Sequence, residues 1–361
     1  MYYSMTQIGK NRKKEIAVKR FRFFIYELFW LFLIIFGLLL IPFFLIPLFI
    51  SETSILYGTL FYLIKATALL IGVPCVLFIF NLVFEPQKRD LIIEEDVSVA
   101  IGHIKLYKMT KKNYKFQILY GILIFFLVFL PIDFFPFLLL PDMLEYQAVA
   151  ISSKTTGIYL LENNYFLFLI SVIVIQLSVS ISEETIYRGV ITKRGSEFFF
   201  KYSAVIISSL SWGLAHFAYF LDPVSSLYPV WYPFIWFIQA FFIGIILSLL
   251  IIRRKWIIPV IIAHAINNIV SAHAVWGLLQ GYSFTLISLY LYYPLLIIGS
   301  ILFIWYYPQI KEGFSIGLDM LKNYFKRDNT IEETKGDALF RVFFDIIMGL
   351  IIFVIAFIIT I

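Results

Sequence analysis

Six polar side chains that together could catalyse hydrolysis lie within or at the end of apolar stretches of this sequence. They are Glu183, Glu184, Arg188, His216, His264 and Asn268. Ionisable groups at membrane depth are costly, and by default they indicate a functional site with partners nearby. Carboxylates and imidazoles can activate a water molecule, and polar donors can stabilise the charge that develops during hydrolysis. We therefore interpret the group as the candidate site of an enzyme built within a bilayer.

The two adjacent glutamates have different predicted roles. Residues four apart on a helix are neighbours, so Glu184 and Arg188 can form an ion pair. Glu183 is rotated by about 100° from Glu184 and can face the bundle interior, where it remains available for proton transfer. The alternative is that these charges only mark the cytoplasmic end of a helix and reach out to water.

The remaining three residues lie in two further apolar segments. His264 and Asn268 are four residues apart and share one helical face, and His216 lies well inside its own segment. Taken singly, His216 can be a packing residue, and His264 with Asn268 can join helices by hydrogen bonds. At 1.5 Å per residue, however, all three segments bring their polar groups to a similar depth in the cytoplasmic half of the membrane. This convergence favours a common site.

The composition requires lipid as a solvent for much of the surface. Hydrophobic residues make up 61% of the 361 residues and charged residues only 14%, and the mean hydropathy is +0.91. A soluble domain has nearer to half apolar and a quarter charged residues. The pI of about 9.1 reflects basic residues in short loops beside apolar segments, so we expect no nucleic-acid partner.

Nine apolar segments are long enough to cross a hydrocarbon core about 30 Å thick. We place them at residues 23–50, 55–84, 117–140, 164–187, 202–221, 231–252, 256–277, 284–306 and 341–361. The fold class is therefore predicted as all-α, a polytopic membrane helix bundle of about nine transmembrane helices.

Loop charges predict the orientation of the bundle. Seven basic residues between Lys10 and Arg22 precede the first span, which favours a cytoplasmic N-terminus. Alternation then places the Lys- and Arg-bearing segments 85–116, 188–201, 253–255 and 307–340 inside, and the segments 141–163, 222–230 and 278–283 outside. We expect a multi-pass protein of the cell membrane, with the lipid bilayer as its surroundings.

The chain divides into three predicted parts. Residues 1–163 hold three spans and a cytoplasmic loop at 85–116, residues 164–277 form the catalytic helix core, and residues 278–361 hold two spans and a cytoplasmic linker at 307–340. We expect the loop and the linker to be solvated helices on the bilayer surface, with substrate or partner binding as the alternative.

Three motifs carry a resemblance to a known family. Glu-Glu-x-x-x-Arg at 183–188, an aromatic-x-x-x-His at 212–216 and His-x-x-x-Asn at 264–268 resemble the signature motifs of the CPBP intramembrane metalloprotease-like proteins. These are the CAAX-processing and bacteriocin-processing enzymes, also called the Abi family. The resemblance covers roughly residues 164–277. Trp212 stands where the family usually has Phe, an aromatic change that we expect to keep its packing role.

The resemblance implies an endopeptidase that cleaves near the C-terminus of membrane-anchored proteins or peptides, with prenylated ones among the candidate substrates. Glu183 and His216 would activate a water molecule as general base, while His264 and Asn268 would donate hydrogen bonds to the oxyanion. Glu184 and Arg188 would support them. The alternatives are a non-catalytic membrane partner or regulator on the same scaffold and, third, a proton-coupled transporter.

Metal dependence stays open at this stage. A catalytic zinc takes three protein ligands and a water molecule. His216 and His264 would be two ligands, with Glu183 or Asn268 as an unusual third. The sequence contains no His-Glu-x-x-His motif, and we favour a glutamate-activated water with no obligatory cofactor, with Zn²⁺ as the alternative.

Overall fold

The chain folds as a helix bundle. The structure, a computed structural model, describes residues 2–88, 99–198, 200–221, 223–329 and 332–360. Regular secondary structure in these residues is entirely helical. Nine of the described helices are long and apolar enough to cross a membrane, which confirms the predicted fold class and number of spans. The spans, called first to ninth below, are Lys13–Phe49, Ile55–Leu82, Tyr114–Leu139, Tyr165–Phe198, Lys201–Leu221, Trp231–Arg254, Ile258–Leu279, Phe284–Trp305 and Lys335–Ile358.

Large apolar side chains cover the outside of the bundle. Phe49 is 83% exposed, Trp305 is 77% exposed and Leu339 is 77% exposed, and many similar side chains lie along the first, eighth and ninth spans. Leaving such surface in water would cost about 25 cal/mol for each Å². Lipid removes that cost, and the chain is therefore a multi-pass membrane protein.

The fourth span is longer than predicted. The sequence placed its end at residue 187 and a loop at 188–201, but the helix continues to Phe198. Two arginines can remain in this helix because each forms a buried ion pair. Arg188 Nε lies 3.2 Å from Glu184 Oε2, and Arg194 Nη2 lies 2.7 Å from Glu27 Oε1. The predicted loop is therefore wrong over most of its length.

The fourth span also changes its winding directly after the glutamates. Residues Thr185–Arg194 form a π-helix, a form that is uncommon and often occurs at functional sites. The carbonyl of Tyr187 accepts hydrogen bonds from Thr192 Oγ1 at 2.9 Å and from Ser208 Oγ at 2.7 Å. Because Ser208 belongs to the fifth span, this widened turn holds the two spans together just below the glutamates.

Buried ion pairs collect at one end of the bundle. Arg20 in the first span pairs with Asp345 in the ninth, where Nε lies 2.8 Å from Oδ1, and the Glu27–Arg194 pair joins the first and fourth spans. All four residues come from the ends that the alternation of loops assigns to the same side. The arrangement agrees with that alternation, while the direction of the bundle in the membrane stays a prediction.

Part of the predicted loop at 85–116 packs against the bundle. Residues 89–98 lie outside the described residues, and Val99–Lys105 form a short helix. His103 is only 5% exposed, and the Tyr107 hydroxyl lies 2.6 Å from Thr185 Oγ1. Burial lowers the pKa of His103 from 6.5 to about 4. Residues 99–107 thus pack one face against the π-helical part of the fourth span, while Ile101 and Ile104 on the other face are about half exposed, so the expected solvated surface helix is wrong for the buried face. The predicted linker at 307–340 contains the more exposed helix Tyr307–Tyr324.

The opposite end of the bundle is covered by the segment between the third and fourth spans. It forms the helix Asp142–Ser152 and the short helix Thr155–Leu161. Gln147 Nε2 donates to Ser271 Oγ at 3.1 Å, and Trp276 Nε1 donates to the carbonyl of Glu162 at 2.7 Å. These bonds fix the segment to the seventh span and over the interior of the bundle.

Candidate active site

One cavity within the bundle collects the polar residues that the motifs predicted. It has a volume of about 760 Å³ and is lined by Glu183 from the fourth span, His216 from the fifth, and His264 and Asn268 from the seventh. This size is typical of ligand-binding pockets. The predicted convergence of the three segments is therefore present in the tertiary structure.

The two glutamates differ in their access to this cavity. The Glu183 side chain is 31% exposed, whereas the Glu184 side chain is fully buried. Trp212 Nε1 donates a hydrogen bond to Glu183 Oε2 at 2.6 Å. Trp212, expected to act by packing, thus also holds the carboxylate that faces the cavity.

Glu184 forms the centre of a buried charge group. Its Oε2 lies 3.2 Å from Arg188 Nε, and its Oε1 lies 2.8 Å from His264 Nδ1. Both Glu184 and Arg188 have fully buried side chains, and the Arg188 guanidinium lies 4.1 Å from the centre of the Trp212 ring. The predicted Glu184–Arg188 pair is present, and the contact with His264 extends it to the seventh span.

These contacts orient the His264 ring. Nδ1 carries the hydrogen that is donated to the Glu184 carboxylate, because an ionised carboxylate only accepts. Nε2 is thereby directed toward Glu183 Oε2, at 3.9 Å, which is too long for a direct hydrogen bond. Phe129 stacks on the imidazole with ring centres 5.7 Å apart. A carboxylate behind an imidazole fixes both its tautomer and its direction.

His216 has one ring nitrogen engaged and one available. Its Nδ1 lies 3.0 Å from the carbonyl oxygen of Trp212. A carbonyl oxygen only accepts, so Nδ1 carries the hydrogen and Nε2 keeps its lone pair in the neutral ring. Trp236 packs edge-on against the same imidazole, with ring centres 5.3 Å apart. The neutral ring can therefore accept a proton through Nε2.

The two neighbouring asparagines of the seventh span do different things. Asn268 lines the cavity, and its amide forms no hydrogen bond with the residues that the structure describes. The Asn267 amide instead donates to Asp133 Oδ2 in the third span at 2.5 Å. The structure leaves the Asn268 amide available to a ligand, whereas Asn267 joins two spans.

Lys65 and Asp133, which are not among the residues predicted for the site, also line the cavity. Lys65 is the one charged residue of the second span, and Asp133 is the one acidic residue of the third span, whose other charge, Lys115, lies at its first turn. That signal was visible in the sequence, since an ionisable residue within a span indicates function by default. Neither belongs to a recognised motif, and only the tertiary structure brings them into the same cavity as Glu183.

One side of the cavity is apolar. Phe32 and Ile35 from the first span and Phe353 and Phe357 from the ninth line it. These two spans are also among those with the most exposed apolar surface. The cavity thus has a polar side at the fourth and seventh spans and an apolar side at the spans that face lipid.

The described residues do not form a zinc site of the usual kind. No group of three or more His, Cys, Asp or Glu side chains among them is arranged to hold a metal ion. His264 already uses Nδ1 to bind Glu184, and a catalytic zinc takes three protein ligands. His216 and His264 would supply two of these ligands through Nε2, and Zn²⁺ stays the alternative to a glutamate-activated water.

Comparison with known proteins gives a family for the central part of the chain. Residues 163–270 match the family model described as type II CAAX prenyl endopeptidase Rce1-like. No curated protein and no solved structure gives a significant match. At the level of the family, the match supports an intramembrane endopeptidase of the CAAX type. Residues 163–270 are thus similar to the Rce1-like endopeptidases, which confirms the resemblance predicted from the three motifs and is consistent with a CPBP family protein.

Proposed function

We propose that this protein is an intramembrane endopeptidase that hydrolyses a peptide bond near the C-terminus of membrane-anchored substrates. The observation that carries the proposal is the contrast between the two glutamates. Glu183 is open to the cavity while Glu184 is buried against Arg188 and His264. One carboxylate is thus free for proton transfer and the other fixes the groups around it.

In the proposed reaction, Glu183 and His216 act as the general base. Glu183 takes a proton from a water molecule, and the oxygen of that water forms a bond to the scissile carbonyl carbon. His216 Nε2 relays the proton to the leaving amine as the carbon–nitrogen bond breaks. General acid–base catalysis of this kind contributes about 10²- to 10⁴-fold.

The oxyanion of the tetrahedral intermediate is bound by His264 and Asn268. The Asn268 amide donates directly, and His264 donates through Nε2 when its ring is protonated. The buried Glu184 carboxylate lies 2.8 Å from Nδ1 and so holds the ring in this orientation. Each well-placed donor to an oxyanion contributes about 3–4 kcal/mol to stabilising the transition state.

The apolar side of the cavity supports a lipid-modified substrate. Phe32, Ile35, Phe353 and Phe357 offer a surface for an acyl or isoprenoid chain next to the polar groups. Burying each CH₂ group of such a chain contributes about 0.8 kcal/mol. A prenylated peptide can therefore place its isoprenoid chain against the apolar residues and its peptide bond against the polar ones.

Cleavage of a defined peptide tests the proposal. We expect the purified protein in liposomes to cleave a fluorogenic, prenylated peptide, and Glu183→Gln and His216→Ala to abolish cleavage while the protein still folds. Glu312→Gln, on the exposed face of the helix Tyr307–Tyr324, is the matched control and should keep full activity. Retained cleavage in both site variants would remove the assignment. An inactive wild-type protein would favour the non-catalytic alternative.

We also propose that the protein resides in the cell membrane with its N-terminus in the cytoplasm. The basic residues before the first span support this orientation. In a Cys75→Ser background, a cysteine at Lys154 should react with a membrane-impermeant maleimide added to whole cells, and one at Lys311 should not. The reverse labelling pattern would invert the topology.

A further inference from the structure

Lys65 is an isolated charge deep in the second span. It is the one charged residue between Ile55 and Leu82. It follows Ile55 by ten residues, about 15 Å along the helix axis, and precedes Leu82 by seventeen, about 25 Å. The start of the helix is thus almost three turns away, so the ammonium cannot easily reach the membrane surface. A lysine at such depth is costly and calls for a partner.

The residues that the structure describes supply Lys65 with no close partner. Its ammonium forms no hydrogen bond, and no ion pair within 4.0 Å, with any residue that the structure describes. By contrast, Arg20, Glu27, Arg188 and Arg194 all have carboxylate or basic partners nearby. Lys65 instead faces the cavity and interacts electrostatically with Glu183.

Several hydrogen-bonding groups line the same cavity as Lys65. Tyr62, one helical turn before it, lines the cavity and donates through its hydroxyl to Thr156 Oγ1 at 3.4 Å. Gln176 Nε2 donates to the Tyr159 hydroxyl at 2.7 Å. A half-buried ammonium that faces a cavity lined partly by polar groups is suited to an anionic ligand such as a carboxylate.

We propose that Lys65 binds the C-terminal carboxylate of the substrate and so directs Glu183 to a peptide bond close to the chain end. This inference rests on the proposed function, because it assigns a substrate group to the same cavity. It makes Lys65 a positioning residue outside the matched family region of 163–270. A substrate carboxylate would give Lys65 the partner that the described part of the chain does not provide.

A pair of peptides tests the proposal. We expect wild-type protein to cleave a prenylated peptide with a free C-terminal carboxylate about 10- to 100-fold more efficiently, by kcat/KM, than the same peptide with a C-terminal amide. Lys65→Met should bring this ratio close to one, and Lys65→Arg should restore most of it. If Lys65 only balanced the charge of Glu183, Lys65→Met would lower kcat/KM equally for both peptides and leave their ratio unchanged. An unchanged ratio would overturn the proposal.

A binding measurement separates this inference from the proposed function. In the Glu183→Gln background the uncleaved acid and amide peptides can be compared by fluorescence titration in detergent micelles. We expect the acid to bind about tenfold or more tightly, and the added Lys65→Met substitution to remove the difference. This result can hold even if wild-type protein cleaves neither peptide. In that case the proposed endopeptidase activity is refuted and the proposed role of Lys65 in binding is not. Equal affinities of the two peptides for Glu183→Gln would refute the role of Lys65.

Discussion

Glu183→Gln and Glu184→Gln are the same chemical change at adjacent positions, and the structure predicts opposite outcomes. Glu184→Gln removes the negative charge that lies 3.2 Å from Arg188 Nε, and both of these side chains are fully buried. The guanidinium would then remain in the interior without a counter-charge. Breaking a buried ion pair by removing one partner costs about 3–5 kcal/mol of stability. We expect Glu184→Gln to lower the free energy of unfolding by that amount.

Glu183→Gln leaves the packing nearly unchanged. The glutamine oxygen can still accept the hydrogen bond from Trp212 Nε1, which is 2.6 Å long in the wild type. That bond changes from a charged to a neutral acceptor, a difference of about 1 kcal/mol. The loss of a general base, however, should lower kcat by about 10²- to 10⁴-fold. The variant should therefore be stable and inactive.

Stability and turnover must be measured on the same preparations. Unfolding in detergent can be followed by tryptophan fluorescence, and turnover by release of a fluorophore from a prenylated peptide in liposomes. Glu312→Gln, at an exposed position, controls for the general effect of losing one carboxylate. If Glu184→Gln unfolds like the wild type while Glu183→Gln is destabilised, the assignment of the buried and the cavity-facing carboxylate is reversed and the reasoning fails.

Three further outcomes follow from the described contacts. Asn268→Ala should lower kcat by about 10²- to 10³-fold without lowering Tm. Asn267→Ala, which removes the partner of Asp133, should lower Tm and leave kcat of the folded protein largely intact. The opposite pattern would contradict the assignment of Asn268 to the site. Burial lowers the pKa of His103 from 6.5 to about 4 in the folded protein. Between pH 6.5 and pH 4, His103 is therefore protonated in the unfolded chain but mostly neutral in the folded chain. The free energy of unfolding should therefore drop by up to about 3 kcal/mol from pH 7 to pH 4, and His103→Phe should flatten this slope; equal slopes would disprove it. Dialysis against a chelator should leave peptide cleavage unchanged, and loss of activity that Zn²⁺ restores would show that the reaction needs a metal.

The spans and the motif residues were predictable because they depend on local properties. Length and apolarity define a membrane helix, and the spacing of Glu184 and Arg188 defines a pair on one helix. Boundaries were less predictable. The end of the fourth span was placed at residue 187 because Arg188 and Arg194 suggested water, but Glu184 and Glu27 neutralise these charges within the bundle.

By itself, the sequence determined that this is an all-α membrane protein of nine spans and that six polar residues on three of them could form one site. Only the tertiary structure decided which polar group meets which. It placed His264 against Glu184 rather than in hydrogen-bond contact with Glu183, gave Asn267 rather than Asn268 to Asp133, and brought Lys65 into the cavity. The physical reason is that helical periodicity assigns a residue to a face of its own helix, whereas its partner depends on the packing of helices distant in sequence.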